Sequence, residues 1–224
     1  PKSTGMTDPT DCHDANGHGT GVAGIAAGTR CGVAKKAQVM NVRVLDANKK
    51  GENNWIIAGV DWVASHATGN LNVVNMSLMA KDGTSPALDI AVRAAIAKKI
   101  PFVIAAGNEN GDACSFSPSD VTEAIVVGAT KNEDWIWSDS NEGTCVDLFA
   151  PGHLIRSHWG KDTPASKSGT SCAAPHVAGA AALYLADHPN ATFNELENAL
   201  LGSVTNGKIQ GLSASSPNKI LRVQ

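Results

Sequence analysis

The sequence predicts an α/β fold with three layers, in which helices cover both faces of a mostly parallel central sheet. Strand-like and helix-like segments alternate along the chain, as parallel sheets with crossover helices require. The strand segments are apolar throughout, which is typical of strands buried on both faces. The chain has 224 residues, and no repeat, linker or low-complexity tract divides it. We therefore expect a single domain over residues 1–224.

Each element is predicted from its local pattern. Apolar residues recur at helical spacing in 54–67. Ser85 and Pro86 form a typical helix start, and Thr192 with Glu195 forms a capping-box pattern. In chain order we predict strand 37–45, helix 54–67, strand 71–78, helix 85–99, strand 101–107, strand 124–129, a helix that follows Ser171, and helix 192–201.

Composition and charge exclude several functional classes. Hydrophobic residues make up 42% of the chain and charged residues 17%, which indicates an ordinary folded protein. The net charge of −3 gives no basic face for nucleic acid. No apolar segment reaches the roughly 20 residues of a membrane span. Residues 1–10 lack the profile of a signal peptide, so we expect a mature form or a sequence whose front end is missing.

The five cysteines leave two interpretations open. An odd count allows two disulfides and one free thiol, which would indicate an oxidising compartment. The same cysteines could equally be reduced and buried. No CxxC pair is present, so a zinc site is not indicated. The cysteines are Cys12, Cys31, Cys114, Cys145 and Cys172.

A serine lies at the start of the most apolar helix, in "SKSGTSCAAPHVAGAAALY". One interpretation makes Ser171 an N-cap, whose oxygen accepts a hydrogen bond from a free backbone N–H. The other makes Ser171 a nucleophile, beside which the helix N-terminus stabilises an oxyanion. The serine alone does not decide between them.

Two further segments carry polar residues in unusual settings. His18 lies between Gly17 and Gly19, which allow the close backbone approach that a rigidly held base needs. Asn108 comes one glycine after a buried strand. It is interpreted either as a turn residue or as an amide donor to an oxyanion. Because sites in parallel sheets gather beyond the carboxyl ends of the strands, "NMSL", "AAGNEN" and "SGTSCAAPH" are expected to converge.

Four motifs together resemble those of the subtilisin-like serine proteases, peptidase family S8. They are "GHGTGVAG", "VVNMSL", "IAAGNENG" and "SGTSCAAPHVAG", and they are most similar to the proteinase K and aqualysin-like branch. The resemblance extends from Asp14 almost to the C-terminus. It implies the subtilisin-like form of the predicted fold and a secreted, monomeric endopeptidase. Such an enzyme cleaves proteins or peptides and needs no cofactor for catalysis.

The resemblance also implies residue roles. Ser171 corresponds to the nucleophile, His18 to the general base and Asn108 to the side chain of the oxyanion hole, with the Ser171 N–H as second donor. Met79 stands where the family mostly has glycine, and is expected to narrow or reshape the rim of the pocket for P1, the residue before the cleaved bond. The other implied substrate contacts are Ser77, Leu78, Ala105, Ala106 and Gly107 as walls of the P1 pocket, and Lys49, Lys50 and Gly51 as an edge strand that pairs with the substrate.

Disulfides and calcium are further implications of the resemblance. Cys114 and Cys145 correspond to a bridge of this branch, and Cys12 with Cys31 is a second expected bridge. Asp147 corresponds to a calcium ligand, with the Thr122 and Ala124 carbonyls as additional oxygen ligands. Asp147 could instead be a solvated carboxylate at a strand end. Cys172 replaces the usual methionine after the nucleophile, and we expect it to fill the same space.

The sequence departs from the family pattern at the catalytic aspartate. The family places it in an Asp-Ser-Gly or Asp-Thr-Gly turn some 30 residues before the histidine, but only 17 residues precede His18. None of Asp8, Asp11 and Asp14 lies in such a turn. We therefore expect an N-terminally truncated domain that lacks its first strand and the aspartate segment. The alternative is a catalytically silent, peptide-binding pseudoprotease.

Overall fold

A computed structural model describes residues 13–67, 69, 71–80, 83–160 and 164–223. The helices are α1 (His18–Ala27), α2 (Asn53–His66), α3 (Pro86–Ile96), α4 (Thr170–Asp187) and α5 (Phe193–Gly202). The strands are β1 (Val74–Met76), β2 (Phe102–Ala105), β3 (Ile125–Lys131), β4 (Trp135–Ile136), β5 (Leu148–Pro151), β6 (Ile155–Ser157), β7 (Ala165–Lys167), β8 (Thr205–Asn206) and β9 (Lys219–Ile220).

The central sheet is mostly parallel, as predicted. Its strand order is β1-β2-β3-β5-β9-β8, and β4 pairs with β3. The pairs β1–β2, β2–β3, β3–β5 and β5–β9 are parallel. Strands β4 and β8 run antiparallel to their neighbours β3 and β9. Strands β6 and β7 form a separate antiparallel hairpin. Strand β1 stands at one edge of the sheet.

The core consists of two apolar layers, one on each face of the sheet. Because side chains alternate along a strand, β2 sends Phe102 and Ile104 to one face and Val103 and Ala105 to the other. The first layer packs against α2 and α3, and the second packs against α4 and α5. The predicted three-layer α/β/α architecture is therefore confirmed.

Helix α4 is the buried centre of the second layer, and its small residues allow close packing. The side chains from Cys172 to Pro175 are all buried. A Cβ on Gly179 would come within 2.6 Å of the Val33 side chain, so α4 has no room for a larger residue there. Helix α1 packs against α4. Helix α5 begins with the predicted capping box between Thr192 and Glu195.

The predicted strand 37–45 is wrong for this structure. These residues form no strand, and Val39 and Met40 are 58% and 70% exposed. The physical reason is that no neighbouring strand among the described residues supplies backbone hydrogen bonds to this segment. Val44 nevertheless packs against the core beneath β1, so the segment lies beside that face of the sheet.

Other predictions need smaller corrections. Ser85 is the N-cap residue of α3, but its side chain makes no capping hydrogen bond. The strands β4, β5, β8 and β9 and the β6–β7 hairpin were not predicted, because these short segments give weak periodicity. Among the described residues, no helix combines the length and the apolar character that a membrane crossing requires.

Candidate active site

Ser171 lies in the first turn of α4 and is not its cap. The N-cap is Gly169, so the capping interpretation of Ser171 is wrong. The Ser171 hydroxyl lies close to the N-cap residue: a Cβ placed on Gly169 would be 3.0 Å from the Ser171 Oγ. The Ser77 hydroxyl donates to the Ser171 carbonyl at 3.0 Å and so ties this turn to the end of β1.

Asn108 is held beside the same helix start. Its Oδ1 accepts hydrogen bonds from the Thr170 backbone N–H at 2.8 Å and from the Thr170 hydroxyl at 3.0 Å. With Oδ1 fixed by two donors, the Nδ2 amide group must point away from Thr170. The next N–H, that of Ser171, belongs to the four at a helix N-terminus that have no intrahelical acceptor. Two donors can thus converge near the Ser171 hydroxyl, which is the requirement for an oxyanion hole.

His18 is the first residue of α1, and its turn is fixed by Asp14. Gly17 has φ 87°, in the left-handed region that favours glycine. The Asp14 carboxylate accepts hydrogen bonds from the backbone of Asn16, Gly17 and Thr20 and from the Thr20 hydroxyl. Partial burial raises the pKa of Asp14, but these hydrogen bonds outweigh it and lower the pKa to about 2. Asp14 is therefore ionised, and its carboxylate stabilises the turn before His18.

Trp159 is a site residue that the sequence did not predict. It is 4% exposed, and its ring centroid lies 6.3 Å from that of His18. The ring covers Gly21 so closely that a Cβ there would collide with it. Lys167 places its Nζ 4.9 Å from the centre of the Trp159 ring. The glycines of α1 were the available signal, since they indicate a large side chain packed on that helix.

The charges around His18 favour its neutral form. Burial lowers the pKa of His18, and Lys49 and Lys167 lower it further, whereas Asp14 raises it. Within the described residues, no carboxylate accepts a hydrogen bond from the His18 ring. The ring is therefore available as a proton acceptor, but no carboxylate among these residues orients it.

Replacing Lys167 by glutamine is expected to raise the pKa of His18, because it removes a nearby positive charge. The basic form of His18 would then require a higher pH, and the acidic limb of a pH–rate profile would move to higher pH. NMR titration of the His18 ring protons measures the change directly. Lys98→Gln is the matched control, since Lys98 contacts Ala64 on α2. An unchanged His18 pKa in Lys167→Gln would contradict the assignment.

The predicted pocket walls follow the ends of two neighbouring parallel strands. Ser77 and Leu78 follow β1, and Ala106 and Gly107 follow β2. The Met79 sulfur lies close to Gly107 in the wall that follows β2: a Cβ placed on Gly107 would be 2.8 Å from it. This contact supports the expectation that Met79 narrows the space between the walls.

The expected pairing of Lys49, Lys50 and Gly51 with a substrate, as an edge strand, stays a prediction. These residues form no strand, and Lys49 has φ 62° in a turn. The Asp46 N–H donates to the Lys50 carbonyl, and the Asp46 carboxylate accepts from the Lys50 N–H. The segment has no strand partner among the described residues. Lys49 is nevertheless near enough to affect His18.

The cysteines have different environments. Cys114 and Cys145 form a disulfide. Cys31 is exposed and forms no disulfide with another cysteine of the described residues; its expected partner Cys12 lies outside them, so that second bridge stays a prediction. Burial raises the pKa of Cys172 to about 11, although Ser171 and Lys167 act to lower it. The Cys172 thiol therefore stays protonated and packs in the core beside Val22 and Ile25.

Asp147, the candidate calcium ligand, has a largely buried carboxyl group. Burial raises the pKa of Asp147 to about 6; the Val126 N–H opposes this shift and Glu197 adds to it. The described residues contain no cluster of three His, Cys, Asp or Glu side chains. A cation here would therefore rely on Asp147 and on backbone carbonyls such as those of Thr122 and Ala124. A buried carboxylate with one oxygen outside its hydrogen bond suits calcium.

Comparisons with known proteins agree with this geometry. The sequence profile of the subtilase family matches residues 2–216. An "Extracellular serine proteinase" of Thermus sp. (strain Rt41A) is 48% identical over 218 residues, or 96% of this chain and 52% of the relative. An "Alkaline serine exoprotease A" of Vibrio alginolyticus is 45% identical over 216 residues, or 96% of this chain and 40% of the relative. This chain thus spans about half the length of these relatives.

A solved structure is also similar over nearly the whole chain. It is described as a cold-adapted subtilisin-like serine proteinase, and it matches with a TM-score of 0.91 at 44% sequence identity. The match covers 97% of this chain and 77% of that one.

Proposed function

The chain belongs to the subtilase family, and from that premise we propose that it is part of a serine endopeptidase acting on proteins or peptides. The observation that carries this proposal is the pairing of Asn108 with the start of α4. The hydrogen bonds from Thr170 to Asn108 fix the amide beside the Ser171 hydroxyl.

The proposed reaction proceeds through an acyl-enzyme. The Ser171 oxygen attacks the substrate carbonyl carbon while His18 takes the hydroxyl proton. The Asn108 amide and the Ser171 N–H stabilise the oxyanion of the tetrahedral intermediate. His18 then donates its proton to the leaving amine, and water hydrolyses the ester. As in subtilases generally, no cofactor takes part.

The proposed mechanism also needs a carboxylate that orients His18. Strand β1 is at the edge of the sheet, and the nearby segment 37–45 has no strand partner among the described residues. We infer that an additional strand, carrying an Asp-Ser-Gly or Asp-Thr-Gly turn, pairs with β1 in the functional enzyme. The exposed Val39 and Met40 support this placement, since a strand beside them would reduce their exposure.

Secretion is part of the proposal. The Thermus and Vibrio relatives are named as an extracellular proteinase and an exoprotease. The disulfide between Cys114 and Cys145 is consistent with an oxidising compartment. Monomeric behaviour is the expectation that remains from the resemblance.

Covalent labelling with a fluorophosphonate tests the function. The reagent reacts with an activated serine, so we expect one adduct per chain, mapped by mass spectrometry to Ser171. Heat-unfolded protein serves as the control for nonspecific reaction. A folded chain that stays unlabelled, also with an added upstream strand and its aspartate, would support the silent pseudoprotease instead.

Calcium is expected to raise the unfolding temperature, and Asp147→Asn is expected to abolish that response. A pKa raised to about 6 means that ionising Asp147 opposes folding as the pH rises from about 4 to above 6. A bound cation removes this penalty, and saturation at about 100 times Kd would contribute about 2.7 kcal/mol.

Scanning calorimetry at pH 8, with calcium and with chelator, measures this effect. In chelator, Asp147→Asn should unfold at the same or a higher temperature than the parent, because it removes a buried charge. Asp61→Asn, an exposed residue of α2, is the matched control. A full calcium response in Asp147→Asn would refute the site.

A further inference from the structure

A buried hydrogen-bond network lies outside the residues of the candidate active site and leads to one wall of its pocket. Ser117 is its centre and is completely buried. The Ser117 hydroxyl accepts from the Ser85 N–H at 2.6 Å and donates to Asp89 Oδ2 at 2.8 Å. Asp89 lies in the first turn of α3 and is 3% exposed. The side chain of Ser117 is thus fixed to the start of α3.

The backbone of Ser117 holds the far end of the pocket wall. Its carbonyl accepts from the Ala80 N–H at 2.8 Å, and its N–H donates to the Gly83 carbonyl at 2.8 Å. The near end of the wall is held by the hydrogen bond from the Ser77 hydroxyl to the Ser171 carbonyl. Residues 77–80, which include Leu78 and Met79, are therefore fixed at both ends, once by α4 and once by α3 through Ser117.

The carboxyl group of Asp89 is costly to bury, which indicates that it serves this link. Asp89 Oδ1 and Asp120 Oδ1 are both buried and reach no donor among the described residues. Burial and the neighbouring Asp89 raise the pKa of Asp120, and Arg93 on α3 opposes this shift. Arg93 also pairs with Glu123 at 3.1 Å. A core position filled only for packing would hold an apolar residue here.

We propose that Asp89 and Ser117 are positioning residues that fix the pocket wall 77–80 and thereby set how the enzyme selects the P1 side chain. The inference rests on the proposed function, because it assigns the wall to substrate binding. It concerns binding of the P1 side chain and leaves the reactivity of Ser171 unchanged.

Asp89→Ala is the first variant, because it removes a buried carboxylate and relieves its repulsion with Asp120. Ser117→Ala breaks the same hydrogen bond from the other side. We expect both to change the ratio of kcat/KM for peptide substrates with phenylalanine or alanine at P1 by roughly five- to tenfold, the value of about one hydrogen bond. The change should lie in KM, with little effect on kcat or on the rate of fluorophosphonate labelling.

Two variants serve as controls. Asp89→Asn keeps an oxygen for the Ser117 hydroxyl and offers its amide to Asp120, so the P1 ratio should stay that of the parent. Ser119→Ala is the second control, because Ser119 is as fully buried as Ser117 and lies two residues further along the chain. Its hydroxyl donates to the carbonyls of Ala113 and Phe116 rather than to Asp89. The inference is overturned if Ser119→Ala changes the ratio as much as Asp89→Ala, or if Asp89→Ala retains the parent ratio.

Hydrogen exchange supplies a second measurement that does not require activity. The Ala80 and Ser85 amides should lose protection in Asp89→Ala and Ser117→Ala, whereas the Val126 amide, bonded to Asp147, should keep it. Loss of protection with no change in the P1 ratio would refute the role in selectivity. If the parent neither labels nor hydrolyses peptides, also when extended by the upstream strand and its aspartate, the proposed function fails; unchanged exchange at Ala80 would refute the structural link independently.

Discussion

Replacing Ser171 by alanine is expected to abolish peptide hydrolysis, and in a chain extended by the upstream strand and its aspartate the loss in kcat should be near the value of about 2 × 10⁶ found for the nucleophile of subtilisin itself. Without that aspartate the parent starts lower by about 3 × 10⁴, so the same change should cost about 10²-fold. The effect is large because the alanine leaves the Asn108 amide and the helix N-terminus in place but removes the attacking atom. The same change should eliminate the fluorophosphonate adduct. Hydrolysis of a chromogenic peptide and intact-mass analysis measure the two effects.

Ser166→Ala is the matched control for this prediction. Ser166 is an exposed hydroxyl on β7, five residues before Ser171. It should retain labelling and full hydrolysis, and both variants should unfold at temperatures close to that of the parent. Substantial hydrolysis by Ser171→Ala, after contaminating proteases are excluded, would show that another residue is the nucleophile.

Structural features that depend on residues close together in the sequence were predicted best. Thr192 and Glu195 formed the predicted capping box, because its hydrogen bonds lie within four residues. The alternation of strands and helices predicted the parallel sheet, since each buried strand is apolar on both faces. The convergence of Ser171 and Asn108 followed from the rule that sites lie beyond the carboxyl ends of parallel strands.

Features that depend on distant partners could not be predicted in this way. Segment 37–45 has strand-like residues, but a strand requires a neighbour that completes its hydrogen bonds. Trp159 covers α1 from a hairpin about 140 residues later in the chain, so no local pattern connected it with His18. Ser117 gave no signal, because a single serine in a loop is ordinary until its hydrogen-bond partners are known.

Adding an upstream strand that places a carboxylate beside His18 is expected to raise kcat by about 10⁴-fold, the order of the loss on removing the corresponding aspartate of subtilisin. The test compares the 224-residue chain with a longer polypeptide whose upstream strand carries an Asp-Ser-Gly or Asp-Thr-Gly turn. In the shorter chain, burial and two lysines lower the pKa of His18. A carboxylate would select the tautomer that accepts the Ser171 proton and stabilise the imidazolium that forms.

The two contributions of the added strand can be separated by changing that aspartate to asparagine. The asparagine version still pairs with β1, so Val39 and Met40 should become protected and the unfolding temperature should rise as with aspartate. Only the aspartate version should raise both kcat and the pKa of His18. Equal activity in the two versions would mean that the strand acts by completing the sheet, and that His18 works without a carboxylate. A much higher kcat in the aspartate version, at equal unfolding temperature, would show that the gain in kcat comes from the charge beside His18.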